Sequence, residues 1–224
     1  MSPSGTASVG VDRDKESGSP AARRTSPSST ASASDDDRGG RRFSSRSAST
    51  RSMTYFAIVE AADLLSTDRI QLRPPRAEDV EVAVRLEVDP EVRRYVGGPS
   101  EEAAVTALRA RFASPDFTPR EGRFVATSTQ TAEVLGLVFL QRERGVLEVA
   151  YLFLPEHCGR GLATEAVSAL LSWAATTCDD EEVIAVTQAA NAASMRLLAR
   201  LGFVERERMQ EWGAEQVLAA RPLR

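Results

Sequence analysis

The chain has 224 residues, 42% of them hydrophobic, and a formal charge of −4 from 28 basic and 32 acidic side chains. That length holds one ordinary domain with an appendage, and the acidic balance argues against nucleic acid as the main partner. No apolar run is long enough for a secretory leader or a membrane span, so no membrane partner is expected.

Residues 1–52 carry 15 serines but only Val9, Val11 and Phe43 as larger apolar residues. Burial there cannot offset chain entropy, and the segment reads as a disordered Ser/Arg-rich tail. It holds nine basic and six acidic residues against 19 and 26 in the remainder, so the acidity belongs to the folded part. Asp12, Asp14, Glu16 and Asp35-Asp36-Asp37 fit a transit peptide badly. A lead-in over 53–65 then precedes the domain, expected over 66–224.

Arg69 to Arg73 alternates and stops at Pro74-Pro75, which reads as a short first strand. A helix is expected over Ala77 to Val88, with Val80, Val84 and Val88 on one stripe and Leu86 beside it. Asp89-Pro90 breaks it, and a second short helix from Glu91 ends at Gly97-Gly98. Another helix runs from about Ser100 to Phe112, before a loop from Ser114 to Gly122. Three strands follow over 123–128, 133–142 and 146–154, joined by short polar links that suggest antiparallel hairpins, with Gly136 at a bulge.

Pro155-Glu156-His157-Cys158-Gly159-Arg160-Gly161-Leu162-Ala163-Thr164-Glu165 closes the third of these strands and opens a helix. A strand, a glycine turn and a helix N-terminus together can hold phosphate, because backbone N–H groups point outward and the helix dipole adds positive charge. Glycines before a helix also commonly serve only a turn. No Gly-Lys-Ser/Thr follows, and a third glycine is missing, so neither a Walker loop nor a dinucleotide fingerprint is present. Leu162, Ala166, Leu170 and Ala174, with Trp173, read as the core face of the helix.

A strand is expected over 182–188, then Asn191 as the N-cap of a helix whose buried face is Leu197, Leu198 and Leu201, closed by Gly202-Phe203. Two final strands span about 204–212 and 216–222. The crossover helix between Leu154 and Glu182 makes the strands it joins parallel within a mixed sheet. Two cysteines, Cys158 and Cys178, suit a reducing cytoplasm without a disulfide framework, and a cytoplasmic location is expected. With His157 as the single histidine, neither a zinc site nor a His-based triad is expected. His157 and Cys158, adjacent on a turn, point apart and do not make a nucleophile pair.

Three blocks in order resemble the GCN5-related N-acetyltransferase (GNAT) family, and within it the branch that includes RimJ and RimL. The first is Arg69 to Pro74 with Glu78-Asp79 and Asp89-Pro90 through Gly97-Gly98. The second is Glu148 to Pro155 with Gly159-Arg160-Gly161-Leu162-Ala163-Thr164-Glu165, similar to the family's acetyl-CoA motif. The third is Asn191-x-x-Ser194 followed by Leu201-Gly202-Phe203. The resemblance covers about residues 66–222. Cys158 stands where that branch often has an aromatic, Leu198 where a catalytic tyrosine would lie, and Val186 where a strand glutamate would. A tyrosine-acid mechanism is therefore not carried over.

The resemblance implies an α/β (α+β) fold: a mixed, mostly antiparallel sheet of about seven strands, helices on both faces and a central splayed parallel pair. It implies acetyl-CoA as co-substrate, no metal, and an amine acceptor that is a protein N-terminus or a small molecule, in a monomer or homodimer. Tyr151, Leu152 and Phe153 would hold the pantetheine through their backbone, with an N–H near Phe153 facing the developing oxyanion. Gly159, Arg160, Gly161, Leu162, Ala163 and Thr164 would hold the pyrophosphate, and Asn191 would bond the pantetheine. Glu148 or a water chain is the candidate base, and Ser194 would protonate the leaving thiolate or hold coenzyme; a surface or salt-bridged carboxylate and simple helix capping are the structural alternatives. Two other readings stay open: a catalytically silent acyl-CoA-binding module, and a regulator that binds nucleotide without acetyl-CoA.

Overall fold

The computed structural model describes residues 65–119, 122–143 and 145–224. The tail expected over 1–52, and the lead-in apart from Leu65, lie outside these residues. Strand β1 (Ile70–Arg73) leads into a 3₁₀ turn at Ala77–Asp79 and helix α1 (Val80–Val88). Arg73 donates both Nη groups to the buried Asp79 carboxylate at 2.8 and 2.7 Å, and the Arg76 N–H donates to it at 2.6 Å. This bidentate, nearly enclosed pair fixes the start of α1 against the sheet. The residues α1 buries are Ala83, Val84 and Leu86, and Val88 is 39% exposed. Val84 and Leu86 thus lie on the buried face as expected, and only Val88, at the C-terminal end of the stripe, is exposed.

The second expected helix is a 3₁₀ turn, Val92–Tyr95, and Gly97 and Gly98 follow it with positive φ. Buried Arg93 ties this corner together, donating to the Gly98 and Val96 carbonyls at 3.0 and 3.2 Å and lying 3.2 Å from Glu87. Helix α2 (Glu102–Phe112) comes next. Strands β2 (Arg123–Ser128), β3 (Val134–Glu143) and β4 (Val146–Phe153) then form an antiparallel meander. A 3₁₀ turn at Pro155–His157 and the glycine loop lead to helix α3 (Leu162–Thr177). Strand β5 (Glu182–Gln188), helix α4 (Ala192–Arg200) and the hairpin β6 (Val204–Glu211) and β7 (Ala214–Pro222) complete the chain.

The seven strands run in the order β1-β2-β3-β4-β5-β7-β6, and every neighbouring pair is antiparallel except β4 and β5. Alternation along the strands separates two cores. Leu147, Val149, Tyr151 and Phe153 of β4 join Leu162, Ala166, Leu170 and Leu198 under α3 and α4. Ala150 and Leu152 face the other way, against Leu86 of α1, Val92 and Phe139. Helices thus cover both faces. No described helix is long and apolar enough to cross a membrane.

The bulge sits one place from its expected position. The register passes from Ala126↔Gly136 to Thr127↔Val134, so the extra residue is Leu135, whose carbonyl accepts the Leu154 N–H at 3.0 Å. Gly136 answers a different demand. A Cβ there would lie 2.2 Å from the Leu152 carbonyl oxygen and 2.8 Å from the Phe153 Cα, so only glycine lets β3 approach the end of β4.

Candidate functional site

Strand β4 is paired along its full length with β3, from Glu143↔Val146 to Gly136↔Phe153. With β5 it shares only Leu147↔Val183 and Glu148↔Ile184. Beyond that point the parallel strands diverge, and the sheet opens in its middle. Leu154 donates its N–H back to β3. By the two-residue alternation of a strand, the backbone groups of Val149, Tyr151 and Phe153 therefore turn toward the β5 side, into the opening. An extended ligand can pair with that free edge much as a further strand would.

The glycine loop closes one end of this opening. Gly159 and Gly161 have φ of 74° and 78°, a left-handed conformation that favours glycine. Gly161 is the N-cap of α3 and supplies no side-chain acceptor, so the first-turn N–H groups, those of Leu162, Ala163 and Thr164, face outward without a side-chain cap. Leu162 is itself buried and anchors the turn, while Arg160 is exposed. Arg69 donates to the Arg160 carbonyl at 3.2 Å and to Glu165 Oε2 at 2.7 Å, and the Thr67 hydroxyl donates to Glu165 Oε1 at 2.5 Å. The loop conformation is thereby held from outside. A small polyanion is what such a cradle accepts.

On the α3/α4 face of the opening, Asn191 accepts the Ser194 N–H at 3.1 Å, as an N-cap does. Ser194 is fully buried, and its Oγ lies 3.0 Å from the Tyr151 hydroxyl. The structure thus joins three of the sequence-derived residues, Tyr151, Ser194 and Asn191, into one linked group. Burial pushes the Tyr151 phenol well above its ordinary value of 10, against a smaller opposing effect of the Ser194 contact, so it remains a proton donor. Its side chain was not singled out by sequence reasoning, which used only its backbone. Thr187 was missed too. It is 1% exposed, and its Oγ1 has no hydrogen-bond partner among the described residues. Continuing the register of Leu147↔Val183 by four residues sets Thr187 across from Tyr151, on the same face of the sheet. An unpaired hydroxyl beside a free strand edge suits a ligand rich in amide groups, such as a pantetheine arm.

Glu148 lies at the vertex, in the last pair before β4 and β5 part, and is buried at 4% exposure. Alternation directs it to the α1 face, opposite Tyr151 and Ser194. The two candidate catalytic side chains therefore approach the opening from opposite sides of the sheet. Arg93, Glu87 and the Gly97-Gly98 corner lie on this α1 side. In the loop from Ser114 to Gly122, residues 120 and 121 lie outside the described residues; Phe117 packs on Phe112 with ring centres 4.7 Å apart.

Cys158 is no nucleophile. Burial, with Glu91 and Glu156 nearby, pushes its thiol up to about 11, and Sγ lies 3.4 Å from the Leu154 carbonyl. Among the described residues no group of three His, Cys, Asp or Glu could hold a metal ion.

Residues 69–204 match the model of the acetyltransferase (GNAT) domain family. The uncharacterized N-acetyltransferase YoaA of Bacillus subtilis (strain 168) is 30% identical over 145 residues, covering 62% of this chain and 82% of its own. Two solved structures have the same fold. A GNAT-family acetyltransferase from Bacillus anthracis superposes with a TM-score of 0.60 at 17% identity, covering 70% of this chain and 97% of its own. The spermidine N-acetyltransferase of Vibrio cholerae, solved with CoA and spermine, gives 0.57 at 18% identity, with 70% and 97% covered.

Proposed function

Because the chain belongs to the GNAT acetyltransferase family and is a transferase, we propose that it moves the acetyl group of acetyl-CoA directly onto a primary amine in a ternary complex. The observation that carries this reading is the opening between β4 and β5, whose free edge meets an uncapped helix N-terminus at the glycine loop. The backbone of Tyr151, Leu152 and Phe153 holds the pantetheine arm, with Asn191 and the unpaired Thr187 hydroxyl on the far wall. The N–H groups from Gly159 through Thr164 hold the pyrophosphate, and Arg160 adds charge. Acetyl-CoA supplies an activated thioester; the residues supply position and proton traffic.

An amine attacks only when neutral. Glu148, at the vertex, accepts its proton directly or through water. The Phe153 N–H, turned into the opening, stabilises the oxyanion as it develops. On the opposite face Ser194 donates a proton to the departing sulfur and takes one from Tyr151 through their 3.0 Å contact; solvent reprotonates the phenolate when the products leave, balancing the proton that Glu148 gives up. The acceptor reaches the site from the α1 face. We assign it to protein N-termini or small amines, the RimJ/RimL-like branch being favoured by the block from Asp89 through Gly98.

Thiol release from acetyl-CoA against a panel of N-terminal peptides, polyamines and aminoglycoside-type amines tests the reading. Turnover above hydrolysis with at least one amine is expected. Binding without release for any amine would leave a silent acyl-CoA module. In Gly161→Glu, strain at positive φ and a negative charge added at the helix N-terminus should weaken acetyl-CoA binding by more than about 100-fold; unchanged affinity would place the cradle elsewhere.

A further inference from the structure

The amides of the glycine loop, from Gly159 through Thr164, donate to no carbonyl or side chain among the described residues. The first backbone bond of α3 runs from the Glu165 N–H to the Gly161 carbonyl at 3.0 Å. Such a cradle accepts an anion only while its N–H groups point the same way and no carbonyl or carboxylate competes. Two groups work against that. One is the Arg160 carbonyl, which shares its peptide plane with the Gly161 N–H. The other is the Glu165 carboxylate, in the first turn of the helix that the anion would face. Arg69 holds both.

The Arg69 side chain reaches from the turn ahead of β1 to the start of α3. Its Nη1 donates to the Arg160 carbonyl at 3.2 Å. Its Nε donates to Glu165 Oε2 at 2.7 Å, and Nη2 donates to the same oxygen. The main-chain N–H of Arg69 donates to Glu165 Oε1 at 3.3 Å, beside the Thr67 hydroxyl. The turn is anchored in its own right. Leu65 is fully buried, its carbonyl accepts the Leu72 N–H at 2.9 Å, and the Thr67 N–H donates to the Ile70 carbonyl at 2.7 Å. The guanidinium is therefore fixed at its base and forked at its tip.

A trans peptide carries its C=O and N–H on opposite sides. With the Arg160 carbonyl turned toward Arg69, the Gly161 N–H points away from the β1 side and toward the side of β5, where the sheet opens. Gly161, at φ 78° and without a Cβ, would also tolerate the reversed plane, which would set a carbonyl against the anion. We infer that Arg69 is a positioning residue for the coenzyme: it fixes the Arg160–Gly161 peptide with its N–H aimed at the pyrophosphate, given the cradle proposed above. It sets acetyl-CoA affinity without touching the acetyl group or the acceptor. Cancelling the Glu165 charge is a second effect of the same guanidinium, and a double variant separates the two.

The Arg69 side chain is 48% exposed, so Arg69→Ala opens no enclosed cavity. With the amine that the panel above identifies, this variant should raise KM for acetyl-CoA at least tenfold and keep kcat within twofold. Acetyl-pantetheine carries the thioester arm but no pyrophosphate, and its kcat/KM should stay within twofold of the unsubstituted chain. Arg69→Ala combined with Glu165→Gln should keep the raised acetyl-CoA KM. Equal losses with both thioesters would reduce Arg69 to a general structural role. A KM restored in the double variant would leave charge cancellation alone. Either result, or an unchanged KM in Arg69→Ala, overturns the proposal. Calorimetric titration with coenzyme A separates it from the transferase reading. If the unsubstituted chain binds coenzyme A but transfers nothing, that reading falls, and a Kd at least tenfold weaker in Arg69→Ala still upholds the positioning role. An unchanged Kd overturns that role, and no binding of coenzyme A overturns both.

Discussion

Tyr151 carries two duties on one side chain. Its ring fills the core under α3, and its hydroxyl meets Ser194 in a fully buried contact. Tyr151→Phe keeps the packing and removes only the oxygen. It should lower kcat about tenfold while leaving KM for acetyl-CoA within about twofold, since one proton relay is worth 10²–10⁴ at most and water or Ser194 alone can partly substitute. Loss of the second partner of buried Ser194 should also cost about 1–2 kcal/mol of stability. An unchanged kcat in steady-state assays would reduce the pair to a structural role. Glu165 makes a pH-dependent contribution. Burial raises its pKa, but the Thr67 hydroxyl and the Arg69 guanidinium outweigh that and bring it below the ordinary 4.5. A carboxylate depressed in the folded state contributes stability above its unfolded pKa and loses it as pH falls through the folded one. Glu165→Gln should therefore lower Tm at neutral pH by about 2–4 °C, on the scale of a half-exposed pair. Thermal melts should show that difference shrinking steadily below about pH 4.5.

At the scale of elements, the contact between β3 and β4 sets the shape of the opening. Gly136→Ala would drive a methyl into the Leu152 carbonyl and the Phe153 Cα, so the end of β4 must shift. We expect about 2–4 kcal/mol of destabilisation, and an acetyl-CoA KM raised more than kcat is lowered, because the displaced backbone is the edge that would hold pantetheine. Denaturant melts and kinetics on the same preparation check both. Strand and helix order was legible because each element has its own period and glycine or proline punctuation: Glu182–Gln188 and the Asn191 cap lie where the pattern puts them. The exposure of Val88 was not legible, since it depends on contacts between elements, which leave no periodic trace in the sequence. Thr187 escaped for a similar reason. In sequence it is a β-branched residue in a strand, and only the early end of β4–β5 pairing makes its hydroxyl unusual. The strand end, glycine turn and helix start over 155–162 were readable because their signals are local in sequence.

At the scale of the whole molecule, the sheet is two antiparallel blocks, β1 to β4 and β5 to β7, joined directly by two register pairs. Packing between α3 and α4 and the shared core beneath them hold the blocks together, with Leu170, Leu198 and Phe203 in one cluster. A coenzyme seated in the opening would bridge the seam with hydrogen bonds that the chain itself does not make. Its binding energy then adds to the free energy of separating the blocks, by about 2.7 kcal/mol at a hundredfold excess over Kd. The location of that gain is the sharper expectation. Amide hydrogen exchange should slow most at Val149 to Phe153 in β4, at the glycine loop and at Thr187, all of which border the opening. Strand β6 should change little, because it pairs only with β7 at the sheet edge and is exposed along nearly all of its length. Uniform slowing across all seven strands would mean that the ligand stabilises the fold from somewhere other than the seam.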